Sequence, residues 1–312
     1  MVHITVATFI SNKEKFRLSL VETLNYLRGF GIDYELIVFS DKPFESDNPK
    51  IRREIDGGET KYKRILRLFA LAANDLVFCV DNDIMLNNEN FKDFVLECNS
   101  ANYIAGWGKI AALPCKGLTA NLIKIDKNIS HNFLRPLLWK AKLGISLPGQ
   151  VFMFRKSVLK ISGVNTLFDD LQIGIAIKKS NEPIFYSNDI LGLETPKANL
   201  KLLVHQRIRW AQGYAEVLLL NKKSLSLILI HGLAWHFWWI LFWGIVVACC
   251  YFDCQPAAFL FIQIVIMLIS RNQISDYKFA ALYLLIFPIL HIIWGNFVLL
   301  KLFKEIFWEE FS

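Results

Sequence analysis

The chain has 312 residues, of which 54% are hydrophobic, and a formal net charge of +7 at pH 7. Its mean hydropathy of +0.34 is high for a soluble protein and predicts that part of the chain lies in lipid. The basic residues are dispersed and form no aromatic–basic motif, which argues against a nucleic-acid partner. The six cysteines form no C-x-x-C pair, which argues against a disulfide framework or a zinc site.

The first part of the chain is predicted to alternate strands and helices. Strands are assigned from runs of β-branched and aromatic residues, and helices from apolar residues three and four positions apart. Such alternation predicts an α/β fold with a mostly parallel sheet, which binds ligands beyond the carboxyl ends of its strands. The predicted elements are a strand at His3–Phe9, a helix at Lys15–Arg28, a strand at Tyr34–Phe39, a helix at Lys61–Ala73 and a strand at Asp75–Val80.

The last part of the chain is predicted to enter a membrane. Three runs lack Asp, Glu, Lys and Arg: Ser224–Phe252, Cys254–Ser270 and Phe279–Leu300. A helix needs about 20 apolar residues to cross the hydrocarbon core, so the first and third runs are long enough and the second is borderline. This predicts a soluble domain at residues 1–223 and a membrane domain at residues 224–312, with two or three transmembrane or re-entrant helices.

Charge near the runs predicts their orientation. The first residues show no signal peptide, and Lys222 and Lys223 precede the first run, as expected for a cytoplasmic boundary. Apolar residues at helical spacing within Lys301–Ser312 predict an interfacial helix at the end of the chain. We therefore expect a multi-pass protein of the cell (inner) membrane with its soluble domain in the cytoplasm.

Acidic residues follow two of the predicted strands. Asp41 follows the second, and Asp81 and Asp83 form a D-x-D motif directly after the third. D-x-D also occurs in solvated turns by chance. At the ligand-binding edge of a sheet, however, its oxygens suit Mg²⁺ or Mn²⁺, which would also bind a diphosphate. The basic residues that open the second helix, starting at Lys61, are compatible with the same anionic ligand.

Two further motifs carry possible chemistry. Gln206, Arg209 and Trp210 match Q-x-x-R-W and would share one face of a helix, as a clamp for a diphosphate and a sugar. The simpler interpretation is the end of an amphipathic helix near the membrane. Asp169 and Asp170 open a helical stretch, where acidic residues commonly stabilise the helix start. The functional alternative is a general base that accepts a proton from an acceptor hydroxyl.

These motifs, in this order, resemble glycosyltransferase family 2, in the membrane branch that includes cellulose synthases, hyaluronan synthases and ceramide glucosyltransferases. The resemblance also includes Gly149–Arg155, before the base, and Glu194–Pro196, before Q-x-x-R-W. It covers roughly residues 3 to 215 and the membrane segments. The first motif departs from the pattern, since Ser-Asp-Lys-Pro stands where Asp-Asp-Gly-Ser is commoner.

The resemblance implies a GT-A-like catalytic domain, followed by C-terminal transmembrane helices, and an inverting displacement. It implies that Asp41 contacts the nucleotide base, that Asp81 and Asp83 hold Mg²⁺ or Mn²⁺, and that Asp170 is the base. Lys61 is assigned to donor binding with Asp41 and Asp81. The resemblance further implies that Gln206 and Arg209 bind the diphosphate and that Trp210 borders the acceptor.

The expected partners are a nucleotide-sugar donor, the family habit being uridine diphosphate, a lipid or glycan acceptor, and the membrane. Transfer of one sugar to a lipid is the leading hypothesis, because the membrane portion is small for a polymer channel. A processive polysaccharide synthase and a non-catalytic nucleotide-binding membrane protein are the alternatives. A transporter is weaker, since the membrane runs contain few charges or Gly/Pro breaks.

Overall fold

The computed structural model divides the chain into two compact units. Unit 1 comprises Met1–Ala111 and Ile145–Thr195, and unit 2 comprises Ala112–Gly144 and Pro196–Ser312. The predicted boundary between residues 223 and 224 is not a boundary between these units, and stays a prediction about where the membrane portion begins. The structure describes residues 1–10, 16–41, 48–55, 58–161, 166–196, 199–271 and 276–308.

The described residues contain one large sheet. Its strands are β1 (Val2–Ile10), β2 (Ile32–Ser40), β3 (Ile51–Ile55), β4 (Leu76–Asp81), β5 (Ile84–Leu86), β6 (Ala105–Ala112), β7 (Val151–Arg155) and β8 (Ile184–Glu194). They lie in the order β3-β2-β1-β4-β7-β6-β8-β5. The three predicted strands are confirmed as β1, β2 and β4, which are neighbours in the sheet.

The sheet is mixed, which corrects the predicted mostly parallel arrangement. β1 pairs in parallel with β2 and β4, and β2 pairs in parallel with β3. β4 and β6 both pair antiparallel with β7, and β5 pairs antiparallel with β8. Strand direction was not predictable here, because β7 is as continuously apolar as β4 beside it, which pairs in parallel with β1.

The α-helices of the described residues are, in chain order, α1 (Leu18–Arg28), α2 (Lys61–Leu71), α3 (Asn88–Ser100), α4 (Leu118–Ile129), α5 (Arg135–Lys140), α6 (Asp169–Ser180), α7 (Leu200–Leu220), α8 (Leu225–His236), α9 (Trp238–Tyr251), α10 (Gln255–Ile269) and α11 (Tyr277–Trp308). The helices predicted at Lys15–Arg28 and Lys61–Ala73 are confirmed as α1 and α2. The Thr60 side chain caps α2 by accepting from the Lys63 N–H at 3.3 Å. This cap fixes where Lys61 begins the helix.

The core of unit 1 lies between the sheet and the helices α1 and α3. Leu24 and Leu27 of α1, Phe91 of α3 and Phe78 of β4 are each fully buried in it. Burying such side chains stabilises the fold by about 1.5–3 kcal/mol each. This packing supports the strands whose ends carry the acidic motifs.

Helix α6 approaches a neighbouring backbone at Gly174. A Cβ atom added there would lie 1.9 Å from the carbonyl oxygen of Ile145. We expect Gly174→Ala to lower the free energy of unfolding by about 3 kcal/mol through overpacking, although the same change at an open helix position stabilises by about 1 kcal/mol. Gly244→Ala is the matched control, because nothing lies within 4 Å of that site on α9. Thermal unfolding of both variants checks this, and an unchanged Gly174→Ala protein would contradict it.

The apolar runs of unit 2 form helices of unequal length. The first run breaks at Phe237 into α8 and α9, the second forms α10, and the third lies within the 32-residue α11. Of the residues predicted to form an interfacial helix, 301–308 are helical and continue α11, and 309–312 lie outside the described residues. Their interfacial placement stays a prediction. Pro288 lies inside α11 without ending it. Proline has no N–H for the Leu284 carbonyl, and the indole N–H of Trp243 donates to that oxygen at 3.3 Å.

One helix among the described residues is long and apolar enough to cross a membrane, at Tyr277–Ile306. The helices Leu200–Leu220 and Lys222–His236 pass the same test only together, and the chain bends by 101° between them. Helices α9 and α10 are apolar but shorter. By length and composition alone, unit 2 therefore offers one or two spans.

Candidate active site

The predicted acidic residues of unit 1 lie at one edge of the sheet. Asp41 directly follows β2, Asp81 is the last residue of β4, and Asp83 lies in the turn between β4 and β5. Because β1 pairs in parallel with both β2 and β4, the carboxyl ends of these strands face the same way. The structure thus brings these residues together at the edge where the sequence predicted a ligand.

Lys61 lies among the acidic residues at this edge of the sheet. Its ammonium nitrogen lies 2.7 Å from Asp81 Oδ1 and 3.5 Å from Asp169 Oδ2, and it donates to the carbonyl oxygen of Gly149 at 2.6 Å. An ammonium group has three donors, and three partners surround it. Lys61 therefore ties the start of α2 to the end of β4, the start of α6 and the turn before β7.

The charge balance of this cluster favours a further cation. Burial lowers the pKa of Lys61, but the carboxylates of Asp169 and Asp81 outweigh that effect and raise it, so the lysine stays charged. Burial raises the pKa of Asp81 to about 7; Lys61 opposes this, and the charge of Asp83 adds to it. One lysine thus faces more than one carboxylate, and a bound cation would lower the pKa of Asp81.

Asp170 lies against a glycine that gives it room. Its Oδ1 accepts from the N–H of Leu171 at 2.9 Å, within the first turn of α6. A Cβ atom added to Gly149 would lie 3.2 Å from both Cβ and Oδ2 of Asp170. Gly149 therefore contributes to two of the predicted site residues: its carbonyl holds Lys61, and its missing side chain lets Asp170 approach.

Asp41 is held by the segment that leads into α2. Its Oδ1 accepts from the N–H of Gly58 at 2.9 Å and lies 3.8 Å from a guanidinium nitrogen of Arg64. Only 12% of the Asp41 side chain is exposed. The residues immediately after Asp41 lie outside the described residues.

Sequence reasoning assigned no role to a pair of residues beside the D-x-D turn. Glu194, which is buried at the end of β8, accepts from the side-chain amide of Gln150 at 3.0 Å. The backbone carbonyl oxygen of Gln150 in turn accepts a hydrogen bond from the backbone N–H of Asp81 at 2.8 Å. Glu194 is also paired in register with Ile84, which follows Asp83. The sequence signal was Glu194-Thr195-Pro196, which was noted only as a resemblance.

The Q-x-x-R-W residues lie on α7 in unit 2. Gln206 and Trp210 are half-buried, and Arg209 is exposed. The most buried member of the segment is Arg207, which the sequence did not single out, and its guanidinium pairs with the carboxylate of Asp126. The helix that carries the motif therefore also carries a buried ion pair, at Arg207.

No group of three or more His, Cys, Asp or Glu side chains within the described residues is arranged to hold a metal ion. Magnesium-type ions at phosphate sites are usually bound by one or two carboxylates together with the phosphates of the substrate. A pair such as Asp81 and Asp83 is sufficient for that mode of binding.

A comparison with protein families identifies the family of the chain that carries this site. Residues 76–297 match the family described as glycosyl transferase family group 2. The chain belongs to this family. The match includes the D-x-D turn, Asp170 and the Q-x-x-R-W helix, and it confirms the resemblance that the sequence motifs carry.

Individual relatives of this glycosyltransferase are distant. One is the catalytic subunit of a UDP-forming cellulose synthase from Dictyostelium discoideum, 28% identical over 106 residues, which are 31% of this chain and 10% of that protein. The match thus spans about a tenth of the curated relative's length.

Solved structures show a similar fold. A crystal structure of a mycobacterial protein has a TM-score of 0.50 and 16% identity, and the match covers 70% of this chain and 74% of that chain. Glucosyl-3-phosphoglycerate synthase of Mycobacterium tuberculosis, in complex with Mn²⁺, UDP-glucose and phosphoglyceric acid, has a TM-score of 0.48 and 14% identity, over 70% of this chain and 79% of that chain.

Proposed function

We propose that this chain is a membrane-bound inverting glycosyltransferase that moves one sugar from a uridine-diphosphate sugar to a lipid acceptor at the cytoplasmic face of the cell membrane. The observation that carries the proposal is the cluster around Lys61. It joins Asp81 of the D-x-D turn to Asp169, the neighbour of Asp170, in a chain that belongs to a glycosyltransferase family.

Mg²⁺ or Mn²⁺ fits this cluster, because its carboxylates outnumber its one lysine. Asp83, with Asp81, would hold the ion. When bound, the ion would supply positive charge that stabilises the diphosphate leaving group. Lys61 and Asp41 would bind the donor, and Gln206 and Arg209 would bind its diphosphate through an amide and a planar cation.

Asp170 is proposed as the general base. The acceptor hydroxyl oxygen forms a bond to the anomeric carbon of the sugar while the bond from that carbon to the diphosphate breaks. The hydroxyl proton passes to the Asp170 carboxylate, and the configuration at the anomeric carbon inverts. Trp210 would border the acceptor and present a flat apolar face to it.

The helices of unit 2 support a lipid environment. Large apolar side chains are well exposed on α9, α10 and α11, including Leu241 at 71%, Phe259 at 65% and Leu285 at 56%. A surface with so many exposed apolar side chains is characteristic of contact with a membrane or a partner. The long uncharged stretch of α11 favours the membrane, and that placement supports a lipid acceptor at the membrane surface.

The proposal is tested by transfer to lipid. The protein in nanodiscs is combined with native lipid extract, Mn²⁺ and a panel of labelled nucleotide-sugars, and label is measured in the solvent-extracted lipid phase. Metal-dependent labelling of a lipid with a single sugar is expected. Release of free sugar without any labelled lipid would contradict the lipid acceptor.

The cellulose synthase match favours one alternative, a polysaccharide synthase with the same chemistry. A sizing gel of the product separates the two functions. A ladder of long chains on the gel would identify the protein as a processive synthase and contradict the transfer of a single sugar.

Metal binding should depend on pH through Asp81. With a pKa of about 7, this carboxyl must lose a proton before it can bind a cation. We expect the dissociation constant for Mn²⁺, measured by calorimetry with UDP present, to rise about tenfold for each pH unit below 7 and to level off above it. In Asp81→Asn the affinity should be weak at every pH. An equally steep dependence in that variant would assign the titration to another group.

A further inference from the structure

A buried ion pair in unit 2 fixes the side chain of Arg207, the residue that follows Gln206. The guanidinium of Arg207 on α7 pairs with Oδ2 of Asp126 on α4. The other carboxylate oxygen of Asp126 accepts from the hydroxyl group of Tyr283 on α11 at 2.8 Å. Three helices thus meet at one carboxylate.

The same guanidinium lies against the indole ring of Trp210. Its central carbon is 4.4 Å from the centroid of that ring and 5.8 Å from the centroid of Phe287. Phe287 in turn stacks on Tyr283 with 4.0 Å between the ring centroids. A planar cation over an aromatic face is attractive, and more so when water is excluded. The position of the Trp210 ring is therefore coupled to the ion pair.

We propose that Asp126 and Tyr283 are positioning residues, which hold Arg207 and through it fix the ring of Trp210. The inference rests on the proposed function, in which Trp210 borders the acceptor. Neither residue belongs to one of the sequence motifs, and Asp126 lies in the stretch between D-x-D and Asp170.

Conservative substitutions can distinguish a positioning role from a general effect on protein stability. Arg207→Lys keeps the charge toward Asp126 but loses the plane that stacks on Trp210, and Tyr283→Phe removes one hydroxyl group while keeping the ring. Lys124→Arg is the matched control, because it also exchanges one basic side chain for the other beside a buried carboxylate. Lys124 also lies on α4, and its ammonium is 2.6 Å from a carboxylate oxygen of Asp276, directly before α11. Asp126→Asn is less suitable, because it leaves Arg207 buried without its ion-pair partner and risks unfolding.

The first measurement does not require activity. The protein is labelled with 5-fluorotryptophan, and the fluorine resonance of Trp210 is assigned from its loss in Trp210→Phe. We expect that resonance to shift or broaden in Arg207→Lys and Tyr283→Phe and to stay in place in Lys124→Arg. An unmoved resonance in Arg207→Lys, or an equal change in Lys124→Arg, would overturn the inference.

The second measurement uses transfer kinetics. In Arg207→Lys we expect the acceptor KM to rise about tenfold while the donor KM stays unchanged, since a misplaced side chain affects the substrate that it borders. An unchanged acceptor KM in an active variant would overturn the inference alone. Absence of transfer in the unmodified protein would instead contradict the proposed function, and the fluorine resonance would still decide the positioning role.

Discussion

Replacing Asp170 by Asn should lower kcat for sugar transfer by at least about 100-fold, the loss typical of removing a general base. Asparagine has nearly the same shape and can still accept from the N–H of Leu171, so the fold should be kept. Donor binding should be unchanged, because the carboxylates assigned to the donor remain. The measurements are the initial rate of transfer and the affinity for the donor in the presence of Mn²⁺.

Asp93→Asn is the control for this change. Asp93 is an exposed helix residue whose conversion to an amide should leave the rate unaltered. If Asp170→Asn transferred sugar as fast as the unmodified protein, the base would be another residue or the acceptor would be deprotonated before it binds.

Replacing Lys61 by Met should lower the free energy of unfolding by about 3 kcal/mol at pH 8, since it removes the cation from a largely buried carboxylate cluster. The side chains of Lys61, Asp81 and Asp169 are 21%, 29% and 15% exposed, so solvent screens the cluster only partly. The loss should shrink as the pH falls. The pKa of Asp81, about 7 in the folded protein, lies above the value of about 3.9 expected in the unfolded chain. Lys61 opposes that shift, so the pKa of Asp81 should rise further in the variant. The variant therefore gains more stability than the unmodified protein as the pH drops, because the carboxylate that has lost its partner becomes neutral.

Lys63→Met is the matched control for that experiment. Lys63 is exposed on the same helix, so its replacement should change stability by less than about 0.5 kcal/mol. Chemical denaturation at pH 6 and pH 8 gives both comparisons. A Lys61→Met protein as stable as the control at pH 8 would show that the cluster is not a buried ion-pair network.

The sequence predicted the first half of unit 1 well, because local signals suffice there. The apolar runs of β1, β2 and β4 and the helical spacing of α1 and α2 are properties of short segments. The acidic residues at the strand ends follow from those elements. The start of α6 at Asp169 agrees with the predicted helix opening.

Long-range pairing could not be predicted in the same way. The antiparallel β7 looks like any buried strand, β8 is polar and partly exposed in its middle, and nothing in the sequence links Gln150 to Glu194 or Lys61 to Asp169. The apolar runs of the last third predicted lipid-facing helices without showing the break at Phe237. The roles of the site residues remain predictions, since they concern ligands.

The central claim is metal-dependent use of a nucleotide-sugar. It is tested most directly by measuring nucleoside-diphosphate release by the purified protein, with a panel of nucleotide-sugars, in Mn²⁺, Mg²⁺ or chelator, beside Asp83→Ala. We predict release from one donor that requires the metal and is lost in the variant. Folded protein that neither releases a nucleoside diphosphate nor binds any donor, with native lipids present, would contradict the claim and identify the chain as a non-catalytic member of its family.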